Sequence, residues 1–387
     1  MAKNDASPRL IIGLDAKRAV FNNTGLGNYS RYYINIMSAA YPTSQFRLYT
    51  PSEKENDRLT PLLARDNVKL VTPTLHPDCS ITRAWWRSID MPITLAKDEV
   101  AIYHGLSNEL PLTIKGVCPS VVTIHDLIYR RFPQGYSAID RKLYDFKYGR
   151  SARIATRVAA ISECTKKDLV ELHGIDPEKI DVIYQGIDPI FTLDVNSEQR
   201  MALRQKYNLP EHFILAVGTV ERRKNLLLAI NALPSLPQAV KLVIVGRMHG
   251  DYAEEVKRRI AQLGLSERVM HLDKLPFAEL PALYNIADVV SYTSRYEGFG
   301  LPVVEALTMG TPVIACTGSC LEEAGGDGAI YINPDDVKAY AEAAAHLMDD
   351  RVFHDKKARL GHRHVSKFSA ENFAKATMAC YKKAFLL

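Results

Sequence analysis

The sequence has no long hydrophobic run. A membrane-crossing helix needs about 20 mostly apolar residues. The longest candidate here, near residues 301–316, is interrupted by Glu305, Thr308 and Gly310. The first ten residues, MAKNDASPRL, lack both an apolar core and a small-residue cleavage pattern, so no secretory leader is expected. Cysteine is also scarce, with six in 387 residues. That is too few for a disulfide framework in a chain this long. Cys316 and Cys320 lie four apart, but no second Cys/His pair stands at zinc spacing, so no metal site is expected there. Buried thiols in a cytoplasmic protein are the expectation. Aromatic and basic residues are not interleaved as in nucleic-acid modules, so a nucleic-acid partner is not expected.

What is present is a chain long enough for two domains, with 47% apolar and 24% charged residues. The net charge is only +5, but the excess is concentrated. Arg130, Arg131, Arg141, Lys142, Lys147, Arg150, Arg153 and Arg157 fall in one stretch, followed by Lys166 and Lys167. Such a run is either a solvated helix face or a surface attracted to an anionic membrane or acceptor.

Short apolar runs alternate with helical patterns. Strands are expected at 10–14, 121–124, 158–161 and 180–184, with helices near 28–40, 137–157 and 164–172. The series restarts with strands at 213–217, 242–245, 269–272, 289–292 and 312–315, separated by helices at 225–233, 252–263, 278–286 and 302–309. This rhythm predicts α/β architecture with parallel sheets covered on both faces. Residues 186–209 are polar, contain Pro189 and Asn196, and read as a linker. In such sheets ligands sit beyond the carboxyl ends of strands, so the loops there carry the chemistry.

Four of those loops stand out. Residues 297–305 read Glu-Gly-Phe-Gly-Leu-Pro-Val-Val-Glu. Gly298 and Gly300 leave room for close approach to the backbone, and Pro302 suits the first turn of a helix. A helix start with free N–H groups favours phosphate, while carboxylates at Glu297 and Glu305 suit sugar hydroxyls. Gly218-Thr-Val-Glu-Arg-Arg-Lys-Asn225 joins a strand to a helix, and its glycine with Arg223 and Lys224 suits a diphosphate. Thr24-Gly-Leu-Gly-Asn28 resembles half a dinucleotide fingerprint, but Ser30 replaces the third glycine, so a tight loop near a ligand is expected instead. His125-Asp126 follows a strand directly, where a histidine is placed for polar contact or proton transfer. Two further loops are suggestive: residues 103–108 and the surroundings of Ser162.

Together and in this order, these residues resemble glycosyltransferase family 4, the retaining GT-B transferases. The resemblance covers nearly the whole chain and includes Val-Ile-Tyr-Gln-Gly-Ile-Asp at 182–188. It implies a GT-B fold: two Rossmann-like domains facing each other across a cleft, with a C-terminal helix crossing back to the first. The domains are then expected at 1–188 (acceptor-binding) and 189–368 (nucleotide-sugar-binding), with the returning helix at 369–387.

The resemblance also implies roles. Glu305 is expected on the donor ribose. Glu297 and His125 are expected at the transferred sugar, as the catalytic pair. The backbone of Gly298, Phe299, Gly300 and Leu301 is expected near sugar and phosphate. Gly218, Arg223 and Lys224 are expected on the diphosphate, and Gly25, Gly27 and Asp126 on the acceptor side. Many members carry arginine directly after the diphosphate-loop glycine; Thr219 stands here, which shifts weight from Arg223 to Lys224. No cofactor or metal is implied, only a UDP- or GDP-sugar donor and a glycan or lipid-linked acceptor. The implied activity is retaining transfer in cell-surface polysaccharide or lipopolysaccharide assembly, with a lean toward mannosyltransferases. The expected place is the cytoplasm, including peripherally on the inner face of the membrane. Within the same architecture, a sugar phosphorylase, an NDP-sugar epimerase and a non-catalytic sugar-nucleotide binder are the alternatives.

Overall fold

The computed structural model describes residues 9–73 and 79–386. The chain divides into two compact units: Met1–Arg130 with Tyr136–Gln185 and Ala370–Leu387, and Arg131–Gly135 with Gly186–Ser369.

The first unit is built on a seven-stranded sheet, all of whose neighbouring strands pair in parallel. Its strands are β1 (Ile11–Asp15), β2 (Gln45–Tyr49), β3 (Val68–Val71), β4 (Ile102–Gly105), β5 (Ser120–Ile124), β6 (Arg157–Ala160) and β7 (Ile180–Val182), in spatial order β3-β2-β1-β4-β5-β6-β7. Parallel strands need crossovers, and helices on both faces supply them. One apolar layer combines Ile12, Leu14, Phe46 and Leu48 with Tyr33 and Met37 of helix Gly25–Ala40 and with Phe373, Met378 and Tyr381 of helix Ala370–Phe385. The other combines Val122, Ile124 and Val158 with Trp86, Met91, Leu95 and Leu169.

The second unit carries a six-stranded parallel sheet: β8 (Phe213–Val217), β9 (Lys241–Val245), β10 (Val269–Leu272), β11 (Val289–Tyr292), β12 (Val313–Cys316) and β13 (Ala329–Ile332), ordered β10-β9-β8-β11-β12-β13. In each sheet the chain builds outward in one direction and then returns to the other side of its first strand. The reversal lies between β1 and β4, and between β8 and β11. Loops diverge there and leave a crevice at the carboxyl ends.

The α/β class holds, and the structure adds strands that the sequence pattern hides. β2, β3, β4 and β13 were not expected. β4 is short and contains His104, a polar residue that is fully buried because its ring bonds Tyr33, Tyr381 and Thr123. Tyr103, His104 and Gly105 are therefore strand rather than loop. The expected linker at 186–209 is largely structured. Asn196 and Gln199 form a reciprocal capping box that starts helix Ser197–Tyr207, and Asn208 ends it in the left-handed conformation. Cys79 is exposed, against the expectation of buried thiols.

Backbone approaches backbone closely where helix Arg351–Val365 crosses the turn at Gly326–Gly328. A Cβ built on Gly328 lies 2.2 Å from the Cα of Gly361. Because the obstructing atom is backbone, Gly328→Ala is expected to destabilise by about 1–3 kcal/mol. A denaturant titration checks this; an unchanged midpoint would show that the helix moves freely over the turn.

Candidate functional site

The loops after β8 and β11 are neighbours at the reversal of the second sheet, and an ion pair joins them. Arg223 Nη1 lies 2.6 Å from Glu297 Oε1, and Arg223 also pairs with Glu221 at 3.0 Å. Its Nη1 further donates to the Tyr296 carbonyl at 2.6 Å. The backbone under this pair is pinned from the β11 side. The Thr293 hydroxyl donates to the carbonyls of Lys224 and Asn225, each at 3.1 Å, and the Arg295 N–H donates to the Arg223 carbonyl at 2.8 Å. Asn225 takes the left-handed conformation, with φ 53°, and its side-chain amide donates to the Pro334 carbonyl.

Glu297 Oε1 also accepts from Tyr292 Oη at 3.0 Å and Ser294 Oγ at 2.8 Å. Three donors thus converge on one oxygen. Burial opposes ionisation of this carboxyl, but Arg223 and then Lys224 outweigh it, and the group is held below the usual carboxylate range. Glu297 is an anion at neutral pH.

Lys224 is arranged differently. Its Nζ lies 6.0 Å from the Tyr292 ring centroid, and a Cβ on Gly218 would come 2.4 Å from it. Gly218, at φ 129°, therefore leaves the space that the ammonium occupies. Among the described residues, no carboxylate pairs with Lys224. Arg223 is spent on structure, and Lys224 remains as the cation open to an anionic ligand. A cavity lined by Gly218, Thr219, Lys224, Tyr292, Thr293 and Ser294 lies beside it.

The segment Gly298, Phe299, Gly300 leads into helix Leu301–Thr308. Gly300 has φ 101°, and no side chain caps the helix start; Pro302 carries no N–H and the Val303 N–H donates to the Gly300 carbonyl at 2.9 Å, so of the first three helical residues Leu301 alone offers an N–H not bonded within the helix start. Glu305 lies within this helix and accepts from Tyr284 Oη at 2.9 Å. Burial, with the charge of Asp188 in the same direction, pushes its carboxyl up to about 7.

In the first unit, His125 follows β5 and is fixed from several sides. Its Nε2 is 2.8 Å from the Leu106 carbonyl, so Nε2 carries the proton and donates. Its Nδ1 then accepts from Gln185 Nε2 at 3.2 Å, and Tyr29 packs edge-on at 4.6 Å. The ring is buried, which pushes its pKa down to about 4. It is neutral, in one tautomer, with both nitrogens engaged. Its backbone N–H also donates to Asn108 Oδ1 at 2.8 Å, so proton transfer or a new polar contact at a ring nitrogen would require one of these bonds to break. Asp126 Oδ1 accepts from the Ile128 N–H and starts the short helix Ile128–Arg131.

Gly25 and Gly27 do not lie in a loop. A short helix, Lys17–Phe21, follows β1, and the two glycines open helix Gly25–Ala40. A Cβ on Gly27 would overlap the Asn22 carbonyl, whereas none of the described atoms lies within 4 Å of one on Gly25. Gly27 is required by packing, and Gly25 borders open space. Ser162 is an N-cap, accepting from the Thr165 N–H at 3.0 Å.

Sequence reasoning missed Tyr292 and Ser294, which hold Glu297, Tyr284, which holds Glu305, and Gln185, which holds His125. Tyr292 and Ser294 stand five and three positions before Glu297, a spacing that could have pointed to them. Gln185 lies within the 182–188 segment but was not singled out, and Tyr284 carries no local signal. Among the described residues, no group of three or more His, Cys, Asp or Glu side chains could hold a metal ion.

Comparisons with known proteins bear on the family and the fold. The profile "Glycosyl transferases group 1" matches residues 199–364, and "Glycosyltransferase Family 4" matches residues 43–191. The chain is 30% identical over 227 residues to the O-antigen chain mannosyltransferase RfbU of Salmonella typhimurium, spanning 58% of this chain and 60% of that protein. It is 26% identical over 382 residues to the O-antigen chain mannosyltransferase B of Escherichia coli, spanning 93% and 96%. The Anabaena protein HepE, solved in complex with UDP-glucose, shares the fold with a TM-score of 0.74 at 20% identity, over 97% of this chain and 99% of that one.

Two outcomes test the charges. Arg223→Ala strands the Glu297 carboxylate and is expected to cost about 3–5 kcal/mol. Adding Glu297→Gln should recover much of that loss, and a double-mutant cycle showing no coupling would contradict the pairing. Glu305 has a raised pKa in the folded state, so its ionised form opposes folding. That penalty is absent below its unfolded value of 4.5 and complete above about 7. Glu305→Gln should match wild type at pH 4 and exceed it at pH 8 by on the order of 3 kcal/mol. A stability difference that does not change with pH would refute this.

Proposed function

The chain belongs to glycosyltransferase family 4, group 1, and from that premise we propose that it is a retaining, NDP-sugar-dependent transferase of cell-surface polysaccharide or lipopolysaccharide assembly. The observation that carries the reading is Lys224, a cation without a carboxylate partner, set beside Gly218 at the sheet reversal where Glu297 is held as an anion. Lys224 and the positive end of helix Leu301–Thr308, with the Leu301 N–H, take the donor diphosphate. Glu297 takes hydroxyls of the transferred sugar, and Glu305 those of the donor ribose. His125 contacts the sugar as a neutral ring, and Gly25 borders the acceptor side. The mannosyltransferase names of the two relatives favour mannose as the transferred sugar.

In the reaction the bond between the anomeric carbon and the diphosphate oxygen breaks, and the acceptor hydroxyl oxygen bonds to that carbon on the same face. The acceptor's proton passes to the departing diphosphate. Lys224 and the positive end of the helix balance the charge that develops there, so the reaction needs no cofactor. The acceptor is a glycan or a lipid-linked glycan.

The test begins with a thermal-shift panel of UDP, GDP, ADP and their sugars, because selective binding to the folded state raises the melting temperature. Nucleoside diphosphate release is then measured with the selected donor. Lys224→Ala is expected to lower kcat/KM by about 100-fold or more while the fold is retained. Near wild-type release by both Lys224→Ala and Glu297→Ala would reject the assigned site.

A further inference from the structure

Helix Ala138–Ile154 departs from the usual surface helix. Its inner side is aromatic: Tyr144 and Tyr148 stack on each other, and both pack against Tyr129. Its outer side mixes large apolar residues with cations. Ile139, Lys142, Leu143, Phe146 and Arg150 recur at intervals of three and four and form one stripe. Ile139 is 79% exposed and Phe146 is 58% exposed. Side chains of this size are normally turned inward on a surface helix.

The stripe continues onto other segments of the same unit. Arg150 donates to the Leu112 carbonyl, and the Leu112 N–H donates to the Ser88 carbonyl. Leu112 is itself exposed. In the helix running up to Ser88, Trp85 and Ile81 stand one turn and two turns earlier and are 60% and 77% exposed. Three segments thus present large apolar side chains to solvent, more than scattered surface residues explain.

Cations surround and interrupt this surface. Helix Ala138–Ile154 carries Arg141, Lys142, Lys147, Arg150 and Arg153 against only Asp140 and Asp145. Lys142, Arg153 and Lys115 are exposed. Apolar side chains that insert shallowly, ringed by cations, match the interface of a bilayer containing anionic lipid. They do not match a second copy of the chain, because a two-fold contact would set these cations against their own copies.

We propose that this face of the first unit docks on an anionic membrane surface, with Ile139, Leu143, Phe146, Trp85 and Ile81 entering the headgroup layer. The helix connects the carboxyl end of β5 to the start of β6, so the stripe begins at the edge of the sheet that carries His125. That edge would meet a lipid-linked acceptor at the bilayer, a clause that rests on the transferase reading; the docking itself does not.

Vesicle co-sedimentation tests the docking without donor or acceptor. The wild-type protein is expected to bind phosphatidylcholine vesicles doped with phosphatidylglycerol and not phosphatidylcholine alone, with binding weakened by salt. Leu143→Ser combined with Phe146→Ser should lower the partition by about tenfold or more, at an unchanged melting temperature and an unchanged nucleotide-induced shift. Lys142→Glu with Arg153→Glu should lower it too and flatten the salt dependence. Equal binding by wild type and both variants would overturn the proposal. So would a dimer that the serine variant converts to monomer while vesicle binding stays the same, which would assign the face to a second copy.

Discussion

A carboxylate removed from water must be paired or neutralised, and much of the carboxyl edge of the second unit's sheet follows from how Glu297 meets that constraint. Arg223 pairs with it across two loops. This fixes the loop after β8 against the loop after β11 at the reversal of strand order. Thr293 and Arg295 then hold the backbone of Arg223 to Asn225, and that geometry directs Lys224 toward Gly218. Without Arg223, Lys224 would be the nearest counter-ion for Glu297 and would no longer be available to a ligand. The arginine, with several donors in a rigid fork, suits the structural task; the lysine, a mobile point charge, suits a ligand that arrives and leaves.

Glu305 shows the opposite solution. Only Tyr284 serves it, and it sits near its neutral point. Two glutamates eight positions apart thus have different charge states, set by neighbours and not by residue type. A ligand that hydrogen-bonds to Glu305 finds it half-protonated near pH 7, so it can donate as well as accept.

The fold class and the nine expected strands were legible because parallel strands buried on both faces leave continuous apolar runs. β2 and β3 were not, because Arg47 and Lys69 interrupt them. β4 was hidden by His104, whose burial depends on hydroxyls from Tyr33, Thr123 and Tyr381, residues distant in sequence. Gly218, Arg223, Lys224, His125 and Glu297 were legible as positions after strands, since position relative to a strand end is a local property, whereas Gly25 and Gly27 open a helix that a shorter helix separates from β1. Their states were not. That Arg223 is committed while Lys224 is open, that His125 is locked in one tautomer, and that Gly27 is sterically required while Gly25 is not, all depend on contacts made only after folding.

The locked histidine bears on which atom accepts a proton in the proposed reaction. In the first unit, His125 has its pKa pushed down to about 4, and Gln185 occupies its only lone pair. In the second unit, Glu297 is ionised but weakly basic, because three donors share one of its oxygens. Neither group is poised as a general base near neutral pH, which needs a pKa close to the working pH. A departing diphosphate oxygen gains basicity as its bond to the sugar breaks, and it lies on the face of the ring from which a retained product must form. Glu305, at about 7, meets that criterion but is assigned to the donor ribose in the proposed reading, so of the groups assigned to the transferred sugar neither competes with the leaving group for the proton, and their role is to hold the sugar while positive charge is held where the diphosphate departs.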